Sequence, residues 1–223
     1  MILSSGVTVK EFKDDQFLVM VTRQGVIKKT VLSAYGNVRR SGIIALNLND
    51  GDALISVRLC EAGDNVIIGT HDGMAIRFDE SAVRDMGRGA TGVIGIRLEK
   101  GDFVIGALVI KRTSTVMVVT DKGYGKRSDV NDYRVTNRGG KGVITVKTTD
   151  KVGKLMAMME LNDNDELVCM TSGGMVIKMS AKDIRTMGRN TQGVRIINLK
   201  DNDSITDIAK VVPDDEEGEE GLL

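Results

Sequence analysis

The chain has 223 residues, of which 41% are hydrophobic, so it is long enough to bury a substantial core, and its composition argues against wholesale disorder. No apolar run approaches the roughly 20 residues of a membrane helix, and no export signal is visible, so we expect a cytoplasmic protein without a membrane partner. The net charge is zero, but the tail 213–223 holds six acids and no Lys or Arg, leaving 25 acidic against 31 basic residues elsewhere. A basic body favours polyanions, and we expect the acidic tail to be disordered.

Four self-similar segments of about fifty residues follow one another along the chain. A first glycine comes three residues after a Thr that ends an apolar run, at Gly25, Gly73, Gly123 and Gly174, with spacings of 48, 50 and 51. A second glycine opens another apolar run, at Gly42, Gly92, Gly142 and Gly193, with spacings of 50, 50 and 51. Self-similarity at this period is typical of propellers and solenoids, whose units bury their faces by stacking.

Each repeat has the pattern of four short strands. In the first repeat these are residues 17–22, 26–31, 42–48 and 53–59, which are rich in Val and Ile and bounded by Gly, Asn and Asp. The order recurs, which gives repeats at 16–63, 64–113, 114–163 and 164–212. Four strands per repeat without a helical period predict an all-β, propeller-like disc over residues 1–212.

Residues 5–12 resemble the fourth strand of a repeat whose first three strands are absent. We therefore expect an N-terminal strand ahead of the four repeats. We interpret the chain as part of a longer protein.

No combination of residues typical of an enzyme is present, and we predict neither a catalytic nor a metal site in this chain. His71 lies in a turn whose equivalents in the other repeats are Arg, Asp and Ser. The string from Gly87 to Gly92 matches GxGxxG but lacks the strand–turn–helix context of a nucleotide site. Cys60 and Cys169 stand far apart in apolar strands, which favours buried free thiols over a disulfide.

Basic residues recur at fixed positions of the repeat and are the best candidates for function. Four residues after the first glycine come Lys29, Arg77, Arg127 and Lys178. Eight residues before the second glycine come Arg84, Arg134 and Arg185, and four before it come Arg88, Arg138 and Arg189. Arg39 and Arg40 take this role in the shorter loop of the first repeat, and Lys126 and Lys141 add charge in the third.

Two interpretations of these charges remain open. They could be a solvated face with arginines bound to backbone carbonyls, or a cationic belt that contacts the phosphates of bent duplex DNA. An aromatic content of 3% without Trp argues against stacking on single-stranded bases. A protein-interaction propeller is a further alternative, supported by the Met-rich stretch 155–159, although core packing explains that stretch better.

The repeat text resembles the C-terminal domains of DNA gyrase A subunits, with topoisomerase IV A subunits as more distant relatives. The resemblance extends over nearly all of residues 5–212. It is carried by segments that include 25–30, 83–88, 123–127, 138–144 and 187–194.

This resemblance implies a β-pinwheel, a disc whose blades exchange strands and around whose basic rim DNA wraps. It implies that the chain is a non-catalytic part of a bacterial, chromosome-associated type II topoisomerase that introduces negative supercoils with ATP. The implied partners are double-stranded DNA, a second gyrase A subunit and the gyrase B subunit. ATP, Mg²⁺ and the cleaving tyrosine are implied for other parts of the enzyme, so no cofactor is expected here, and Tyr35, Tyr124 and Tyr133 are not nucleophiles.

The chain departs from the gyrase pattern in two respects. That pattern has six blades, whereas four repeats are present here. Its glycine-rich basic box belongs to the first blade, and the nearest equivalent is Thr136–Gly142 in the third repeat. We therefore expect the first blade and the true box to lie outside this chain.

Overall fold

A computed structural model describes residues 6–38, 40–111, 114–200 and 202–211. Within these residues the protein consists of strands, as the repeat pattern predicts, joined by turns and short 3-10 helices. Arg39 and the acidic tail 213–223 lie outside the described residues. The strands are β1 (Gln16–Thr22), β2 (Val26–Val31), β3 (Leu54–Glu61), β4 (Asn65–Thr70), β5 (Met74–Asp79), β6 (Val93–Ile94), β7 (Val104–Ile110), β8 (Thr115–Thr120), β9 (Tyr124–Asp129), β10 (Val143–Ile144), β11 (Leu155–Leu161), β12 (Glu166–Thr171), β13 (Val176–Ser180), β14 (Val194–Arg195) and β15 (Ile205–Val211).

A tight hairpin at the start of each repeat explains the Thr-x-x-Gly spacing. In the first repeat the Gly25 amide donates to the Thr22 carbonyl at 3.0 Å, and Gly25 has a φ of +83°, which L side chains rarely adopt. The Thr22 hydroxyl then accepts a hydrogen bond from the Val26 amide at 3.2 Å, where β2 begins. The same three-residue arrangement closes the other three hairpins, at Thr70, Thr120 and Thr171.

Antiparallel sheets form the blades, and a short strand of the following repeat completes each of the first three. The strand orders are β3-β1-β2-β6, β7-β4-β5-β10 and β11-β8-β9-β14, whereas the described part of the last blade is β15-β12-β13. Thus β6, from the second repeat, pairs with β2 of the first, with Val26 opposite Ile94. The all-β, pinwheel-like fold is confirmed, and so is the exchange of strands between blades.

The second glycine of each repeat is explained by this exchange. Gly142 has a φ of +79°, and a Cβ atom placed on it would lie 2.3 Å from the carbonyl oxygen of Ala75 on the receiving strand β5. Gly92 and Gly193 have the same close approach to Ile27 and Gly125. A side chain at these positions would push the exchanged strand away from its acceptor.

Two strand predictions are wrong. The third strand of the repeat has only two residues in β6, β10 and β14, and residues 42–48 form no strand. Residues 6–12 form none either. Both segments instead bring apolar side chains, Val9 and Ile43 among them, against a cluster of Leu18, Met20, Leu32 and Tyr35 on the first blade. Part of the apolar surface in these segments is thus covered by packing rather than by pairing, whereas Ile44 stays exposed.

The core lies between neighbouring blades, where three clusters join the first to the second, the second to the third and the third to the fourth. Leu155 and Met158 are buried in it, which confirms core packing for the Met-rich stretch. Cys60 and Cys169 are buried free thiols, as predicted, and burial raises their pKa to about 12 and about 11.

The blades are arranged as an arc with a defined inner and outer edge. Strands β3, β7, β11 and β15 pack side by side in that order. They therefore form the inner edge of the arc, and the exchanged strands β6, β10 and β14 lie on the outer edge of their sheets. In the described part of the chain, no helix is long and apolar enough to cross a membrane.

Candidate nucleic-acid interface

Three equivalent loops run along the outer edge, at residues 83–92, 133–142 and 184–193, and we call them the bridging loops. Each follows a 3-10 turn and leads into the exchanged strand. Each is joined to the preceding blade by a backbone hydrogen bond of 2.9 Å, from Met86 to Lys29, from Thr136 to Arg77 and from Met187 to Arg127. The repeat therefore places equivalent loop residues at equivalent points of the outer edge.

One exposed arginine stands near the start of each bridging loop. These are Arg84, Arg134 and Arg185, the residues eight positions before the second glycine. None of the three donates a side-chain hydrogen bond to another described residue. Their guanidinium groups are therefore available to an external anion, and guanidinium pairs well with phosphate oxygens. Arg40 in the first repeat is also exposed, whereas its neighbour Arg39 is outside the described residues.

A second set of arginines is engaged within the protein. Arg138 donates from Nε to the Ala82 carbonyl at 2.9 Å and from Nη1 to the Ile94 carbonyl at 3.0 Å. Arg189 makes the equivalent bonds, to Asp132 at 2.9 Å and to Ile144 at 2.8 Å. For these two residues the carbonyl-binding interpretation is confirmed. Arg88 is half-buried and lines a groove with residues 41–44 and Asn47.

Lys29 lies in a buried contact between the first two blades. It is 6% exposed, and its Nζ donates to Glu80 Oε2 at 2.5 Å and lies 3.0 Å from Asp85 Oδ1. Burial acts to lower the pKa of Lys29, but the hydrogen bonds to Glu80 and Asp85 outweigh it, so the pKa is raised. The expectation that Lys29 lies on an exposed rim is wrong, because both of its carboxylate partners are supplied by the next repeat.

Its equivalents in the next two repeats also join blades. Arg77 donates to the carbonyls of Val130 at 2.7 Å and Tyr133 at 3.3 Å. Arg127, 6% exposed, donates to Thr186 Oγ1 at 3.2 Å and to Asp163 at 2.7 Å, so it does not lie on an open rim either. Lys178 in the last repeat differs, because its side chain is 59% exposed and pairs with Glu166 at 2.6 Å.

Two lysines, each on the second strand of its repeat, lie beneath bridging loops: Lys126 in the third repeat and Lys28 in the first. Lys126 on β9 is fully buried, and its Nζ donates to the Gly188 carbonyl at 2.8 Å, to Thr191 Oγ1 at 3.1 Å and to the Arg189 carbonyl. Burial lowers its pKa to about 8. Its predicted place among surface charges is therefore wrong.

Sequence reasoning missed the matching residue, Lys28 on β2, which donates to the carbonyls of Ala45 at 2.7 Å and of Arg88. Burial also lowers the pKa of Lys28. The available signal is a lysine three residues after the first glycine, in the second strand of both the first and the third repeat.

The middle bridging loop encloses a groove of about 260 Å³. Its lining includes Arg77, Arg134, Asn137, Gly140 and Lys141, which gives it hydrogen-bond donors and three cations. The Lys141 ammonium pairs with Glu99 Oε1 at 2.6 Å, with both side chains about two-thirds exposed. An exposed pair of this kind contributes little, so Lys141 can exchange this carboxylate for another anion.

A group of possible metal ligands lies away from the bridging loops. Ligand atoms of His71, Asp72 and Asp102 lie within 4.8 Å of one another. The Lys154 ammonium, however, lies 2.6 Å from Asp72 Oδ1, and the His71 ring stacks on Phe103 with centroids 4.4 Å apart. The protein thus supplies its own cation at this carboxylate.

Comparison with known families agrees with the architecture. A family model described as DNA gyrase C-terminal domain, beta-propeller, matches residues 4–61, 64–111, 114–162 and 165–211. The DNA gyrase A subunit of Clostridium acetobutylicum is 46% identical over 215 residues, which cover 96% of this chain and 26% of the relative. That of Halalkalibacterium halodurans is 52% identical over 218 residues, covering 98% and 26%. The chain thus spans about a quarter of the length of these curated relatives.

Solved structures show the same likeness. A structure of the DNA gyrase A C-terminal domain aligns with a TM-score of 0.83 and 25% identity, covering 93% of this chain and 70% of that one. The C-terminal domain of a DNA topoisomerase IV aligns with a TM-score of 0.85 and 26% identity, covering 91% and 64%.

Proposed function

The chain belongs to the family of DNA gyrase C-terminal domains, and from that premise we propose that it binds duplex DNA and bends it around the outer edge of its arc. It acts as a non-catalytic part of the gyrase A subunit within a type II topoisomerase. The wrap presents a DNA crossing of one hand to the strand-passage machinery, so that the complete enzyme introduces negative supercoils with ATP.

The observation that carries this proposal is the repetition of Arg84, Arg134 and Arg185 on the outer edge. All three are exposed, and none of their side chains donates a hydrogen bond to another described residue. Rotational repetition presents them as a row of cations, which suits phosphates spaced along a curved duplex. Such contacts attract the backbone without reading base sequence, and they offset the energy of bending.

The groove of the middle bridging loop is a second phosphate-binding element of this proposal. Arg134 and Lys141 supply charge there, and Asn137 supplies a neutral donor. Arg138 acts differently, because its bonds to Ala82 and Ile94 hold the loop in place. The predicted role of Arg138 as a phosphate contact is thereby replaced by one in shaping the groove.

The remaining partners follow from the proposed enzyme. They are a second gyrase A subunit, the gyrase B subunit, and the ATP and Mg²⁺ bound outside this domain, in the bacterial cytoplasm on the chromosome. The three tyrosines support a non-catalytic role, since all are buried. The Tyr133 hydroxyl, for example, is 2.6 Å from Thr145 Oγ1 and is inaccessible to DNA.

A topological experiment tests wrapping. The purified chain is incubated with relaxed circular DNA and a nicking-closing topoisomerase, the protein is removed, and the linking number is determined on a gel. A protein-dependent shift of one sign supports chiral wrapping, and no binding even at low salt contradicts the proposal. Binding without a shift supports DNA binding and contradicts wrapping by these four repeats alone.

A matched set of variants tests the site. Replacing Arg84, Arg134 and Arg185 by Gln should weaken duplex binding for all sequences alike and reduce the salt slope by roughly 0.9 per lost phosphate contact. The control replaces three other exposed lysines, Lys100, Lys151 and Lys200, which lie in the connections that follow the exchanged strands β6, β10 and β14. Equal losses in both sets would contradict a site on the bridging loops.

Two other functions compete with this proposal. A protein-interaction propeller would bind its partner with little dependence on salt, and no DNA would be retained. A topoisomerase IV domain is a second candidate, favoured by the aligned structure of such a domain. The identities of 46% and 52% to gyrase A subunits support gyrase.

A further inference from the structure

The last bridging loop, residues 184–193, rests on a buried ammonium group. Lys126 extends into the loop from β9 of the third blade. Its Nζ donates hydrogen bonds to the carbonyls of Gly188 and Arg189 and to Thr191 Oγ1. Lysine has three donors and no acceptor, which matches two carbonyl oxygens and one hydroxyl. These bonds thus go to the loop backbone and to a loop hydroxyl rather than to a carboxylate.

Two sets of hydrogen bonds fix loop 184–193, one from Lys126 and one from Arg189. The Arg189 side chain donates hydrogen bonds to two carbonyls of the preceding repeat, at Asp132 and Ile144. The Arg189 carbonyl accepts from Lys126, so the same residue is fixed through its guanidinium and through its backbone. Arg185, whose side chain is exposed, lies four residues earlier in this loop.

The three bridging loops differ at this contact. Lys28 occupies the equivalent position beneath the first loop and donates to the Arg88 carbonyl. In the second blade the position is Ile76, whose Cδ1 lies 3.5 Å from where a Cβ of Gly140 would stand. The middle loop thus rests on a methyl group, whereas the first and last bridging loops are bonded to an ammonium group.

We propose that Lys126 is a positioning residue whose ammonium group fixes the backbone of loop 184–193 and thereby presents Arg185 to DNA. The presentation of Arg185 to DNA rests on the proposed function, whereas the contact between Lys126 and the loop does not depend on DNA. Fixing the loop before binding reduces the conformational entropy that binding would otherwise lose.

A Lys126→Met variant separates this role from packing. Met retains a long unbranched apolar side chain but donates no hydrogen bond, so a packing role predicts no change. Lys126→Gln retains an N–H donor and should restore part of the effect. The control Lys182→Met removes one charge from an exposed position of the last repeat.

The first measurement is cleavage by an arginine-specific protease, without DNA and at one neutral pH. Lys126→Met should accelerate cleavage at Arg185 and Arg189 by about tenfold, the order expected for losing bonds to a charged donor. Cleavage at Arg134 and Arg138 in the middle loop should stay unchanged, which serves as an internal control. Equal acceleration in both loops, or none in either, would overturn the proposal.

The second measurement is duplex affinity at fixed salt, which should fall about threefold in Lys126→Met and remain unchanged in Lys182→Met. If Lys126→Met accelerates cleavage of loop 184–193 alone but the wild type binds no DNA, the proposed function is contradicted. The presentation of Arg185 to DNA is then contradicted too, and only the contact between Lys126 and the loop is supported. Normal DNA binding by Lys126→Met with unchanged cleavage would overturn the positioning role alone.

Discussion

Arg138 and Arg189 lie one repeat apart and make the same two hydrogen bonds to the preceding repeat. In each case Nε binds a carbonyl of the 3-10 turn and Nη1 binds the carbonyl of an isoleucine in the exchanged strand. A guanidinium group presents its donors in a fixed fork, which allows one side chain to span both acceptors. The arginine therefore ties the 3-10 turn of the preceding repeat to the short strand that the same repeat donates to the blade before it.

Arg138→Lys should lower the free energy of unfolding by about 1–2 kcal/mol although the charge is retained, because an ammonium group cannot reproduce the fork. Urea denaturation checks this. Arg134→Lys is the matched control, since Arg134 is exposed and donates to no described residue, and it should leave stability unchanged. An equal loss in both variants would argue against the carbonyl contacts.

Gly142→Ala should destabilise the fold by about 3 kcal/mol, because it combines a left-handed φ with a clash against the Ala75 carbonyl. Gly42→Ala is its control, since Gly42 has nearly the same φ of +80° but nothing within 4 Å of the added atom. Its cost should be about 1 kcal/mol. Thermal and urea unfolding of both variants measure the difference, and equal losses would contradict the close approach of the exchanged strand.

Glu80→Gln should lower stability by about 3 kcal/mol, because it leaves the buried Lys29 ammonium with Asp85 as its remaining carboxylate. Combining Lys29→Met with Glu80→Leu should recover most of the loss, since no buried charge then remains unpaired. Glu166→Gln breaks the exposed pair with Lys178 at the equivalent point of the last repeat and should cost less than about 1 kcal/mol. A similar loss for both Glu variants would contradict the burial of the first pair.

The stability difference between wild type and Lys126→Met should depend on pH. Burial holds the pKa of Lys126 at about 8, below its ordinary 10.5, while Asp132 and Arg189 act on it in opposite directions. Between these two values the unfolded chain binds more protons than the folded one, so the free energy of unfolding of the wild type rises with pH relative to the variant. Urea denaturation at several pH values from 7 to 10 measures this, and parallel curves would contradict the burial of the ammonium group.

The fold is predictable from the sequence because the glycines carry its geometry. Gly25 and Gly142 each mark a backbone conformation or close approach that other residues would disturb, and their recurrence defines the repeat. The third strand is shorter than its apolar run predicts, because a run such as 42–48 does not indicate whether it pairs with a sheet or packs on one. That choice depends on which acceptor edge is available in three dimensions.

The candidate site is only partly predictable, since residues with the same charge have different surroundings. Lys29 and Lys178 occupy the same repeat position, yet one is buried against Glu80 of the next repeat and the other is exposed beside Glu166. The prediction of a belt of charges assumes that side chains at the same repeat position are equally exposed. Contacts between blades bury some of these side chains and leave others exposed. Arg84, Arg134 and Arg185 satisfy that assumption because their side chains are exposed in all three bridging loops.

The exchange of strands places the sequence repeat and the structural blade out of phase, so that each of the first three blades is encoded by two repeats. Inserting one whole repeat would create a blade that donates its short strand backward and receives one from the repeat ahead. Every junction would then remain of the same kind as that between β2 and β6. Duplication or loss of a repeat can therefore change the length of the arc, and with it the length of any duplex that follows its edge, without a new interface having to evolve.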